Sequence, residues 1–377
     1  MDFSYTQEQK MLQESVQKFV QKSYDFDTRN KIMASERGYS EENWQLFAEL
    51  GWLTVTFSEA DGGLGGSAVD LILMMDEFGK AMLVEPFIPT TVLGGGLISA
   101  LGSAQQKAEF IPQIMEGRLQ LACAYAEPSS RYNPGSVATT AKVDGDSVTI
   151  DGIKIAVLNG SNANKLLVVA RESGARTDRE GISVFMVDAD APGVSIQAFT
   201  NIDGKMSAQV SFEAVEVTVA ARLGVAGGAI GALETVIDRA TVAVCAEATG
   251  ALEAMLQKTV EYSKVRKQFG TPIGTFQALQ HRMVDMFIEC QMARSIIIRA
   301  AMKLDSGDDE IEKARVVSAA KSRLGKAIRK VSQEAIQIHG GIGMTAELDV
   351  GHLFKCVTAL AMMFGNIDYH TARFAEL

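Results

Sequence analysis

Apolar residues recur along the first third of the chain at helical spacing. Thr6 followed by Gln9 has the form of a capping box, and Met11, Leu12, Ser15, Val16, Phe19 and Val20 then share one helix face. Ser40 opens a second helix through Trp44, Phe47 and Leu50, with Gly51 as its stop, and Ser67 opens a third that runs to about Met82. Helices over 90–101 and 103–115 complete an all-helical N-terminal region that Gly117 closes. From Leu119 the pattern becomes short β-rich runs, 137–143, 147–150, 153–158, 166–170 and 182–187, separated by Asp-Gly-Asp, Asp-Gly and Asn-Gly. Such dipeptides between apolar runs are hairpin signals, so the expectation is a small antiparallel β-barrel or sandwich ending near Leu223. A glycine-rich junction over 224–231 leads to long helical patterns over 233–263, 276–304 and 309–338, and a shorter last one from Asp349 to about Phe364 and beyond. Four helices of this kind predict an antiparallel bundle whose outer faces can build a tetramer. The expected fold is α+β in three domains: 1–117 all-α, 118–224 an antiparallel β-barrel, and 225–377 a four-helix bundle.

Composition narrows the class. At 377 residues the chain exceeds one ordinary core, and 47% hydrophobic with 22% charged residues reads as globular. A formal net charge of -10 argues against nucleic acid or an anionic membrane as the main partner, while a CoA ester can still use a local basic patch. Cys123, Cys245, Cys290 and Cys356 make no CxxC or metal spacing and read as buried free thiols of a reducing compartment. The opening MDFSYTQEQK has neither a basic n-region nor an apolar h-region, and no apolar run is long enough to span a bilayer. The expected location is cytoplasmic. The four histidines show no HExxH or Cys/His spacing, so no metal is expected. The GGLGG run, Gly62 to Gly66, has no Lys-Ser/Thr pair after it and reads as a turn rather than a phosphate cradle.

Two stretches carry chemistry. VEYSKVRKQFGTPIG, Val260 to Gly274, ends a long helical pattern on Arg266, Gln268, Phe269 and Gly270; QIHGG places Gln337 just ahead of Gly340 and Gly341. Glycines here let a backbone approach a ligand closely. Read without a ligand, the same residues are an arginine-bearing helix end and a glycine C-cap. Together they resemble the acyl-CoA dehydrogenase family, which carries RxxFG and, some seventy residues later, QxxGG, both turned towards the FAD of a neighbouring subunit. The resemblance covers nearly the whole chain. It implies FAD as cofactor, an acyl-CoA thioester as substrate and an oligomer. Arg266 would pair with the flavin pyrophosphate, Gln268, Phe269 and Gln277 would hold the adenosine side, and Gln337, Gly340 and Gly341 would meet the dinucleotide.

The family's reaction removes a proton from Cα and a hydride from Cβ, so it needs a carboxylate base and a well-held flavin. Laying the family pattern on the C-terminal segment puts Phe364, before Gly365, on the usual base. The alternative base position falls on Ala240, with Thr241 replacing the arginine that follows it, although Arg239 is adjacent. Asp368 and Glu247 are the displaced candidates, each also readable as a solvated helix end or a core carboxylate. In the flavin-ring segments AEPSSRYN and AVLNG, Glu127, Pro128, Asn159 and Gly160 match the family, whereas Ala126, Ala156 and Leu158 lack its contacting groups. Arg131 and Tyr132 also replace flavin-contacting residues and can recognise a distal carboxylate. The chain thus keeps what it would lend to a neighbour's FAD and lacks much of what it would need for its own. This implies a hetero-oligomer, of α2β2 type, with a paralogous subunit that carries the base, as in the small-subunit type of pimeloyl-CoA dehydrogenase. Related two-subunit members act on steroid side-chain CoA esters, and the family implies an electron-transferring flavoprotein as acceptor. A homotetramer with a relocated base and a flavin-free binding homologue are the competing readings.

Overall fold

The Thr6 hydroxyl accepts from the Gln9 amide, and the Gln9 side chain accepts from the Thr6 amide at 3.0 Å, so the capping box closes as the sequence predicts. The computed structural model describes residues 5–377. Its α-helices in chain order are α1 Gln7–Ser23, α2 Phe26–Met33, α3 Glu41–Glu49, α4 Ala68–Ala81, α5 Gly96–Leu101, α6 Ala104–Met115, α7 Ile230–Val265, α8 Gln277–Leu304, α9 Glu310–His339, α10 Asp349–Met362 and α11 Ile367–Glu376. The strands are β1 Leu121–Ala124, β2 Thr140–Asp144, β3 Ser147–Leu158, β4 Lys165–Arg171, β5 Ile182–Asp188, β6 Val194–Thr200, β7 Met206–Thr218 and β8 Arg222–Leu223, with a small hairpin of β9 Lys267–Gln268 and β10 Thr271–Pro272. Ser40, Ser67 and Ser103 cap their helices by accepting the third amide, which is why those starts are legible.

The chain forms two compact units. The first gathers the chain up to Lys31 with Ser67–Leu83 and Thr241–Leu377. Its centre is α9, whose buried Val317, Leu324, Val331 and Ala335 face inward while the helix packs on α8, α10 and α11. Crossing of α4 and α7 depends on glycine: a Cβ on Gly79 would overlap the Glu247 carbonyl, and one on Gly250 would overlap that of Asp76. Beside this crossing Arg294 binds Glu253 at 2.7 Å and Asp76 at 3.0 Å, and Lys80 binds Asp76 at 2.9 Å. The last helical pattern breaks into α10 and α11, because Phe364 at φ +57 and Gly365 at φ +120 leave helical space. The stretch 349–376 is apolar enough to suggest a membrane span. It folds instead as helices of 14 and 10 residues, each short of the roughly 20 a span needs.

The second unit comprises Ile32–Gly66 and Val84–Ala240 and holds the sheet. The sheet is open, not a closed barrel: its order runs β6-β7-β3-β2-β4-β5-β8, a path that ends at β6 and β8, with β1 pairing β4 off this path. Nor is it purely antiparallel, since β4 pairs in parallel with β1 and, through Thr140 and Arg171, with β2. Only the Asp144-Gly145-Asp146 signal makes a hairpin, between β2 and β3. Asp151-Gly152 lies inside β3 as an irregularity, where Asp151 accepts the Ala214 amide at 2.8 Å. Asn159, at φ +58, ends β3 and directs the chain away from it towards β4. One face of the sheet buries Val148, Ile150, Leu166, Val168, Phe185 and Val210 in a common core. Residues Ile88–Gly95 form a π-helix continuing into α5, a departure from the uniform helix expected over 90–101.

Candidate active site

The seven residues expected to hold a dinucleotide, Arg266, Gln268, Phe269, Gln277, Gln337, Gly340 and Gly341, all belong to the first unit and are all exposed. After α7 ends at Val265 the hairpin β9–β10 turns through Phe269 at φ +53 and Gly270 at φ +81. The turn is pinned by the Ile273 amide donating to the Arg266 carbonyl at 2.8 Å, and it leaves the Phe269 ring 93% exposed. One turn before Arg266, Tyr262 stacks on His339 at 4.4 Å and donates its hydroxyl to the His339 carbonyl at 3.4 Å. That contact draws the two motifs together, since His339 sits between Gln337 and Gly340. Burial keeps the His339 imidazole below its ordinary pKa, and its Nδ1 donates to the Ala335 carbonyl at 2.8 Å.

The residues present fit the phosphate and adenosine side of a dinucleotide. Gly340 adopts φ +68 with ψ −147, a region closed to other residues, and a Cβ on Gly270, Gly340 or Gly341 would meet nothing within 4 Å. An open glycine backbone, an exposed guanidinium and amide side chains are the donors an anionic pyrophosphate takes, and the Tyr262–His339 contact brings the Arg266 and Gln337 stretches near each other. The GGLGG loop lacks this property: the amides of Gly63, Leu64, Gly65 and Gly66 already donate to Ser58, Thr54, Phe57 and Val55 carbonyls. No phosphate cradle is left there.

Position 364 is a buried turn. The Phe364 ring is 7% exposed and has no acceptor for a proton. Ala240 is buried and inert, and Arg239 donates to the Gly66 carbonyl at 3.3 Å. The displaced candidates are no better placed. Asp368 is exposed on the first turn of α11, and Glu247 is 1% exposed in α7, facing the charge of Lys321.

In the second unit, Glu127 and Lys154 form a buried pair at 2.7 Å. The Glu127 carboxylate also accepts the Ala138 amide at 2.7 Å and the Thr139 amide at 2.9 Å. Burial opposes its charge, but Lys154 and those amides outweigh it and hold the carboxyl below its ordinary range. Burial pulls Lys154 down to about 8 against the attraction of Glu127. The pair fixes the segment that leads to Ser130, Arg131 and Tyr132. Arg131 takes φ +49 and points to solvent, and Ala156 takes φ +50 at the irregularity of β3. Ala126, Ala156 and Leu158 offer no side-chain polar group. The segments expected to face a flavin ring therefore offer no side-chain donor at these three positions.

Sequence reasoning missed Lys154, Tyr262, Lys321 and His370. Lys321 alone had a visible signal, as a lone charge on the apolar stripe of α9.

The helical unit and the sheet-bearing unit together have the fold of a class of flavoprotein oxidoreductases. The chain belongs to the acyl-CoA dehydrogenase family: the family's N-terminal domain matches residues 6–118, its middle domain 122–215 and its C-terminal domain 227–376. It is 31% identical over 325 residues to the acyl-CoA dehydrogenase FadE12 of Mycobacterium tuberculosis, covering 84% of this chain and 82% of that one. Butyryl-CoA dehydrogenase from Megasphaera elsdenii has the same fold, with a TM-score of 0.91 and 25% identity, over 100% of this chain and 99% of that one. A variant of the Tcur3481–Tcur3483 steroid ACAD is similar at a TM-score of 0.87 and 27% identity, over 98% of this chain and 97% of that one. The function is of FAD-dependent acyl-CoA dehydrogenase type, and the cofactor is FAD.

Proposed function

We propose that this chain is the base-less subunit of a hetero-oligomeric acyl-CoA dehydrogenase, of α2β2 type, and that it completes the FAD site of a paralogous partner. The observation that carries the proposal is a contrast within one chain. Phe364 stands where the proton acceptor belongs and Ala126, Ala156 and Leu158 stand where flavin-ring donors belong, while Arg266, Gln268, Phe269, Gln277, Gln337, Gly340 and Gly341 remain exposed and ready. FAD, when bound, supplies the acceptor for the hydride from Cβ of the thioester. This chain's part is to hold the cofactor: Arg266 neutralises pyrophosphate charge, Gln268, Phe269 and Gln277 hold the adenosine side, and Gln337 with the bare backbone of Gly340 and Gly341 meets the dinucleotide. The base that takes the Cα proton belongs to the partner.

The apolar stripe of α8 supports a protein partner. Val284, Phe287, Ile288 and Met292 are each about half exposed, at 54%, 53%, 48% and 50%, and Gln277 lies two turns before Val284 on the same face. The pairing is of the pimeloyl-CoA dehydrogenase small-subunit type, with an aliphatic, dicarboxylic or steroid side-chain acyl group on CoA and an electron-transferring flavoprotein as acceptor. The test is Arg266→Ala in the chain co-expressed with its paralogue. Loss of one charge-assisted contact, about 1.5–3 kcal/mol, lowers FAD affinity roughly 10- to 150-fold, with the Tm of the isolated chain unchanged. Unaltered FAD affinity contradicts the assignment of Arg266.

A further inference from the structure

The turn at position 364 is held from both sides by side chains of α9 and α11. Before the turn, Lys321 Nζ donates to the Leu360 carbonyl at 2.5 Å. That carbonyl is among the last four of α10, which have no partner inside the helix, so the lysine both caps and neutralises that end. After the turn, His370 Nε2 lies 3.0 Å from the Phe364 carbonyl. A carbonyl only accepts, so Nε2 carries the proton, and Nδ1 accepts from Ser318 Oγ at 3.3 Å. Ser318 in turn accepts from Arg373 at 3.4 Å. Lys321 is 2% and His370 1% exposed. Gly365 closes the assembly: a Cβ there would lie 2.6 Å from His370 Nε2, so only glycine lets the ring seat against the backbone.

Two buried polar side chains thus reach two carbonyls at the turn, one on the helix end that enters it and one on its left-handed residue. We propose that Lys321 and His370 are positioning residues of the 363–366 turn, and that they aim whatever side chain occupies position 364. The inference rests on the reading of 364 as the base position, and it deepens it. The phenyl is presented by a frame as fixed as a carboxylate would need, so at this turn the departure from the family lies in one side chain.

The test places a thiol at the position in the full-length chain, Phe364→Cys, and follows its alkylation by N-ethylmaleimide; the four native cysteines are buried and report only unfolding. The parent variant reacts slowly. Adding His370→Leu raises the alkylation rate of the introduced thiol at least tenfold, and Lys321→Met raises it similarly, while His370→Gln, whose amide reaches the same carbonyl, restores the slow rate. An unchanged rate with leucine, or no rescue by glutamine, overturns the proposal. Should the leucine variant unfold, seen as reaction of the native thiols, the wild-type chain decides the matter by 15N-histidine NMR. One imidazole, identified by its loss in His370→Gln, then shows a neutral ring protonated on Nε2 from pH 4 to 8; a proton on Nδ1 overturns the proposal. Neither readout involves flavin or a partner subunit, so failure of the subunit reading would leave both untouched.

Discussion

A phenyl ring at position 364 has no lone pair for a proton, yet the turn that carries it is held by the buried polar side chains of Lys321 and His370. His370 carries a consequence for acid stability. Burial, with the charge of Lys321 second, brings its pKa down to about 3 from an ordinary 6.5. Between those values the unfolded chain binds a proton that the folded chain refuses, so this contribution is complete above pH 6.5 and is lost as pH falls towards 3. Urea denaturation from pH 7 to 4 should therefore show the wild type losing about 3 kcal/mol more than His370→Gln. Parallel pH profiles for the two proteins would refute it. The pair Glu127–Lys154 gives a second case. Lys154 is fully buried, and Lys154→Met leaves a buried carboxylate without its partner, which should cost about 3–5 kcal/mol in denaturant unfolding. A loss under about 1 kcal/mol would mean that the Ala138 and Thr139 amides suffice.

Helix contacts depend on a few bare positions. Gly79 and Gly250 sit where the carbonyls of Glu247 and Asp76 touch the opposite helix, and neither oxygen can move without breaking its own helix. Gly250→Ala should destabilise the chain by about 3 kcal/mol or more, seen as a large drop in Tm, whereas Gly231→Ala, with open space around its Cβ, should not. Elements of this kind explain what the sequence told and withheld. Helices with a serine cap, such as α3, α4 and α6, announced their starts through local chemistry. The short α2 did not, because its buried member is Arg29, which breaks the apolar period. Strands β6 and β7 were missed for a related reason: β6 has mostly exposed residues and β7 changes register against β3. Asp151-Gly152 misled as a hairpin signal because a glycine inside a strand serves a bulge as readily as a turn. Sheet closure is a long-range property, and no local pattern states whether β6 and β8 meet. The motif at Arg266 and Gln337 was legible as residues, but its assembly by Tyr262 and His339 is a tertiary contact.

At the scale of the whole molecule, the first unit carries the exposed residues Arg266, Gln337 and Gly340 and the apolar stripe of α8, and the second carries the sheet with Ala126, Ala156 and Leu158. A face with Val284, Phe287, Ile288 and Met292 in water is costly to leave uncovered. Ile288→Glu should leave the Tm of the isolated chain within about 1 °C and abolish co-purification with the paralogous subunit; retention of the complex would place the interface elsewhere. The central claim is that this chain completes a flavin site that it does not fill alone. Its most direct test is the visible spectrum and FAD content of the chain expressed by itself and together with a paralogous dehydrogenase subunit. The chain alone should be colourless, and the two together should hold about one FAD per heterodimer, bleached by an acyl-CoA. Full FAD occupancy of the chain alone, bleached by an acyl-CoA, would contradict it.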